Sequence, residues 1–126
     1  MSVSQRPNLE DSLTMFSAHS MGASFNSDPI NMKTLHDAGF QINWANGDTP
    51  VGTIAVQVSL DKTIWTSIGL QAVDGTIAST VAVSGDTGSH FISVLTIPSA
   101  WMRIVYTRTS GDGELTSKVI RKGRSL

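Results

Sequence analysis

Between residues 40 and 121 apolar and polar side chains alternate in short runs, and glycine- or proline-containing turns separate the runs. Phe40, Ile42 and Trp44 alternate with Gln41, Asn43 and Ala45, the period-2 pattern of a half-buried strand that Asn46-Gly47 is expected to stop. Ile54, Val56, Val58 and Leu60 alternate with Ala55, Gln57 and Ser59 and form the cleanest strand in the chain. A turn through Asp61-Lys62 leads into a strand over 64–70, and Asp74-Gly75 precedes another over 76–83. A loop over 84–88 opens a strand over 90–97, which Pro98 ends because proline cannot donate to the ladder. Met102, Ile104 and Tyr106 share one face of the next strand. Ser110-Gly111-Asp112-Gly113 is expected to turn that strand into a last one over 115–121.

The N-terminal part is less regular. Residues 1–13 are polar and aperiodic and read as an extended arm, followed by one domain over 14–126. Residues 13–25 predict one or two short strands, Asn26-Ser27-Asp28-Pro29 a turn, and 30–36 either a strand or one helical turn. About eight strands at roughly ten-residue spacing predict an all-β, antiparallel β-sandwich, jelly-roll-like or Ig-like. Its core is expected to hold Phe40, Ile42, Ile54, Val56, Val58, Ile104 and Tyr106, with Trp44 on the same face.

Composition narrows the function classes. The chain has 126 residues, enough for one domain with a real core, and its lack of cysteine removes disulfides, thiolate metal sites and thiol nucleophiles together. No apolar run is long enough to span a membrane, and Met1 to Pro7 lacks the apolar stretch of a secretory signal. No membrane partner is expected. Charge is unevenly placed: three basic against eight acidic residues up to position 100 give −5, and six basic against two acidic from Trp101 onward give +4. The basic residues Arg6, Arg121, Lys122 and Arg124 are candidates for binding a partner. These charges are few and lack interleaved aromatics, so direct nucleic-acid binding is not expected.

Catalytic chemistry finds little support. His19, His36 and His90 lie far apart without metal-ligand spacing, and no cofactor is expected. Asp48, Asp61, Asp74, Asp86 and Asp112 sit singly at turns, where their carboxylates bond neighbouring backbone. There is no Gly-x-Ser-x-Gly elbow and no phosphate-binding glycine loop, and no catalytic residue is assigned. Trp65 and Trp101 lie near strand starts, where they either cap the core or present indole faces for sugar stacking.

A resemblance adds to this picture. Phe40-Gln41-Ile42-Asn43-Trp44 is followed by Pro50-Val51-Gly52-Thr53, a strand to Ser59-Leu60-Asp61, and Trp65. Arg103-Ile104-Val105-Tyr106-Thr107-Arg108-Thr109-Ser110-Gly111-Asp112-Gly113 closes the pattern. The whole resembles small β-sandwich structural proteins of tailed-bacteriophage virions, over about two thirds of the chain. The resemblance implies a non-enzymatic virion component made in the host cytoplasm, a capsid decoration or cement protein or a tail-associated part. Its implied partners are a major capsid or tail protein, with the chain homo-oligomeric or lattice-bound. A carbohydrate- or receptor-binding tail or fibre module is the alternative.

Overall fold

A computed structural model describes residues 13–33, 35–94 and 99–123. Among these residues ten strands follow one another: β1 (Leu13–Ser20), β2 (Phe25–Asn26), β3 (Ile30–Asn31), β4 (Leu35–Ser59), β5 (Thr66–Ser67), β6 (Leu70–Ala72), β7 (Ile77–Ala78), β8 (Val81–Val83), β9 (Gly88–Val94) and β10 (Trp101–Gly123). Among the described residues there is no helix. All ten strands join one antiparallel sheet, ordered β1-β10-β4-β9-β6-β7, with β2 and β3 also on β10 and β5 and β8 also on β4. The all-β antiparallel expectation holds in this form, as one open hydrogen-bonded sheet.

Two expected stops are not stops. Asn46-Gly47 and Ser110-Gly111-Asp112-Gly113 lie inside β4 and β10, which pair from Trp101↔Ser59 to Gly123↔Leu35. Both turn signals instead mark a bend. Asn46, Thr49 and Gly111 take left-handed backbone there (φ 52°, 45° and 77°), a region glycine enters freely and asparagine tolerates. Three register shifts fall between Arg108 and Glu114. Arg108 pairs with Gly52 and Glu114 with Ala45, so six steps along β10 match seven along β4. The odd residue reverses which side chains of β10 face inward, because side-chain direction repeats every two residues. Before the bend Met102, Ile104 and Tyr106 are buried, and after it Leu115, Ser117 and Val119 are. On β4 even-numbered positions stay inward throughout, with Phe40, Ile42, Trp44, Ile54 and Val56 buried.

The bend lets both halves of the long strands share one core. Of the residues expected inside, Phe40, Ile42, Ile54, Val56, Ile104 and Tyr106 are buried and Val58 is half-buried against them. Each of the fully buried aliphatic side chains contributes about 1.5–3 kcal/mol relative to an exposed one. Other strands came out shorter than their sequence pattern: 64–70 yields only β5 and the start of β6, and 76–83 splits into β7 and β8. The ambiguous 30–36 segment is β3 and the start of β4. Leu13, the last residue of the expected arm over 1–13, pairs with Val119 in β1, and residues 1–12 lie outside the described residues.

Two expected polar residues turn out to be structural. The His19 ring stacks on Phe25 with centroids 3.6 Å apart, and Phe25 in turn leans on Tyr106 at 5.7 Å. His90 Nε2 donates to the Ala82 carbonyl at 2.6 Å. The Trp44 indole lies over Gly88, its partner across β4 and β9, and its Nε1 donates to the Gly85 carbonyl at 3.1 Å. A side chain at Gly88 would occupy the space of the indole.

Candidate functional site

The inward row of β10 fixes where its other residues point. With Met102 and Ile104 buried, Trp101 and Arg103 stand on the outer face, and their partners across the pair are Ser59 and Gln57. Arg103 donates from Nε and Nη2 to Gln57 Oε1 at 3.0 and 2.8 Å. Its guanidinium carbon also sits 4.2 Å from the centre of the Trp65 ring. Trp65 Nε1 donates to the Lys62 carbonyl at 3.3 Å, and Lys62 Nζ lies 4.0 Å from the Trp101 ring centre. Lys33 Nζ is 5.2 Å from the same ring. Cations over indole faces are attracted by the ring quadrupole, by about 0.5–1 kcal/mol at an exposed site.

A rigid loop holds this group in place. Ser59 Oγ accepts from the amides of Asp61 (3.1 Å) and Lys62 (2.9 Å) and donates to Asp61 Oδ1 (3.0 Å). Asp61 Oδ1 accepts the amides of Thr63 (2.8 Å) and Ile64 (3.0 Å). Hydrogen bonds from the Ile64 and Thr63 amides, then from the Ser59 hydroxyl, hold the Asp61 carboxyl below its ordinary value of 3.8. The same network keeps Lys62 at φ 64°, which a side chain rarely adopts. Leu60 and Ile64 project from the loop and are 77% and 72% exposed. With Val58, Thr66 and Ser99 they line a groove of about 330 Å³.

Of the residues singled out in the sequence, Trp65, Trp101 and Arg121 come together at this end. Arg121 sits near the far end of β10, yet its Nη1 donates to the Asn31 carbonyl at 2.8 Å, and Asn31 pairs with Trp101. The bend returns one end of β10 to the other. Lys122 follows Arg121 on the strand and is exposed, with Asp37 as its cross-strand partner. Arg6 and Arg124 lie outside the described residues. Sequence reasoning missed Lys33, Lys62 and Arg103. Only Arg103 carried a signal: its alternation with Met102 and Ile104 puts it on the solvent face, but nothing local says that Trp65 meets it. Cations lie over both rings, Arg103 over Trp65 and Lys33 and Lys62 over Trp101. Among the described residues no set of histidine and carboxylate side chains is arranged to hold a metal ion.

No protein-family model matches the chain, and no curated protein does. A solved structure does: the SPBc2 prophage-derived protein YomS has a similar fold. The match has a TM-score of 0.60 at 13% sequence identity, over 88% of this chain and 92% of that one. At that identity the likeness is one of fold. It spans nearly the whole of both chains, so it concerns the overall fold and not a single hairpin.

Proposed function

We propose that this chain is a non-enzymatic structural component of a phage virion, a capsid decoration or cement protein that binds neighbouring virion subunits. The observation that carries this reading is the fold it shares with a prophage-derived protein over almost its full length. The strand-and-turn pattern that resembles virion β-sandwich proteins supports it. The end bearing Trp65, Trp101, Lys33, Lys62 and Arg103 is the contact surface. It joins aromatic anchors and an arginine on preorganised backbone, the residue types that dominate binding energy at protein interfaces.

Imaging of particles assembled with and without the protein tests this reading. Density lost from the capsid exterior is the expected result, and Lys33→Glu with Lys122→Glu should lower occupancy in a salt-sensitive way while the isolated chain stays folded. Both lysines are exposed, so the double reversal leaves the core alone. Arg121 is a poor choice for the same test, because its guanidinium holds the Asn31 carbonyl. Unchanged particles, together with a glycan bound by the wild type and lost on Trp65→Ala or Trp101→Ala, would install the receptor-binding reading instead.

A further inference from the structure

The two ends of the molecule carry opposite charge. At the bend, Asp48 and Asp112 are direct partners across β4 and β10, and Glu114 follows on the same strand. These three carboxylates, with Asn46, line a recess of about 360 Å³. Asp86 is close by, accepting the Thr49 amide at 3.0 Å. Arg108 is the basic residue nearest the bend on β10, and its Nε is given to the Gly111 carbonyl at 2.8 Å. Like charges placed directly opposite in an antiparallel pair weaken it. The fold nonetheless keeps Asp48 against Asp112, whose Oδ1 accepts the Gly113 amide at 2.7 Å.

The other end holds Lys33, Lys62 and Arg103 on the two indoles, with Arg121 and Lys122 alongside. Asp61 and Asp37 also lie there, and Asp61 Oδ1 accepts the Thr63 and Ile64 amides of its own loop. Seven residues of β4 separate Gly52 at the bend from Ser59 at this end, about 23 Å at the rise of a strand. Acidic recess and cationic knob thus lie at opposite ends of one rigid body.

We propose that copies of this chain associate head to tail, the cationic tryptophan end of one copy seated in the acidic recess of the next. The pairing rests on the contact surface of the proposed function, with a second copy as the neighbouring subunit, and sedimentation of the isolated chain tests it without particles. It relieves the Asp48–Asp112 opposition and covers Leu60 and Ile64, whose exposure is otherwise unfavourable. Exposed ion pairs alone bind weakly, so burial of those two side chains is part of the contact. An interface between two different surfaces repeats, giving a ring if the rotation closes and a filament if it does not.

Sedimentation velocity of the full chain tests the pairing. Concentration-dependent association in about 50 mM salt, weakened at least about tenfold in about 500 mM, is the expected behaviour. Lys62→Glu and Asp48→Lys should each weaken self-association by about tenfold or more. An equimolar mixture of the two variants should recover a dimer, because each keeps the end that the other has lost. Asp48→Lys should melt no lower than wild type, since it removes a like-charge pair. A wild type that stays monomeric at low salt overturns the proposal, and so does a mixture that stays monomeric. Loss of association in Lys62→Glu but not in Asp48→Lys overturns it as well. Co-sedimentation of monomeric wild type with phosphatidylserine vesicles would give the cationic end to an anionic membrane.

Discussion

Replacing Tyr106 by phenylalanine should stabilise this protein. The Tyr106 side chain is wholly buried, and its hydroxyl has no hydrogen-bond partner among the described residues. It lies over Gly52, where a methyl group would come within 2.8 Å of the hydroxyl and 2.5 Å of the Thr107 carbonyl oxygen. A buried hydroxyl without a partner costs about 1–3 kcal/mol of desolvation. Phenylalanine keeps the ring contacts and removes that cost, while the lost oxygen gives back a few tenths of a kcal/mol of dispersion. A net gain of about 1 kcal/mol is expected, which raises the melting temperature of a domain of this size by about 3–6 °C. Alkaline pH supplies an independent check. Burial pushes the Tyr106 phenol above its ordinary value of 10.0, with Arg108 opposing the shift in part. The folded state therefore holds this proton more tightly than the unfolded state. Its contribution to stability is complete below pH 10 and is lost as pH rises toward the folded value, at about 1.4 kcal/mol per pH unit. Urea unfolding of both proteins at pH 7 and pH 11 measures each effect, and the advantage of Tyr106→Phe should widen at pH 11. A variant less stable than wild type by 1 kcal/mol or more at pH 7 would refute the reasoning, since the hydroxyl must then be well bonded.

Two further outcomes follow from the packing and the loop. Gly88→Ala places a methyl group in the space of the Trp44 indole and should destabilise by about 1–3 kcal/mol, read from tryptophan fluorescence during urea unfolding; a neutral result means the indole can move aside. Because amide hydrogen bonds lower the Asp61 pKa, the contribution of its carboxylate to the 60–65 loop is complete above pH 3.8 and is lost as pH falls through the lower folded value. The Thr63 and Ile64 amide resonances should titrate with a midpoint below 3.8, and Asp61→Ala should abolish that titration; a midpoint at or above 3.8 removes the loop's claim to rigidity.

Much of the strand content was legible because it is written locally. Val56 and Ile104 follow period-2 alternation, and that alternation decides which face is buried wherever one side of a sheet meets water. What the same residues could not reveal is whether a turn signal ends a strand or bends it. Asn46-Gly47 and Gly111 permit left-handed backbone in either case, and the choice rests on whether distant strands continue to pair across the bend. Here Ser110, Asp112 and Glu114 keep partners on β4, so an expected strand stop and an expected turn became the bend of one long strand pair.

The candidate site divides along the same line. The sequence by itself set the residue types, the outward position of Arg103, and the Ser59–Asp61 loop, whose hydrogen bonds span at most three residues. Tertiary structure alone decided that Arg103 covers Trp65, that Lys33 and Lys62 meet at Trp101, and that Arg121 returns to Asn31 across 90 residues of chain. It also decided that Asp48 faces Asp112, which the chain places far apart. Local patterning carries information over a turn or a strand, whereas these contacts join distant segments, and the inward row of β10 switches at a one-residue mismatch at the bend. That mismatch changes the facing of half of β10, and no short window of sequence contains both strands that create it.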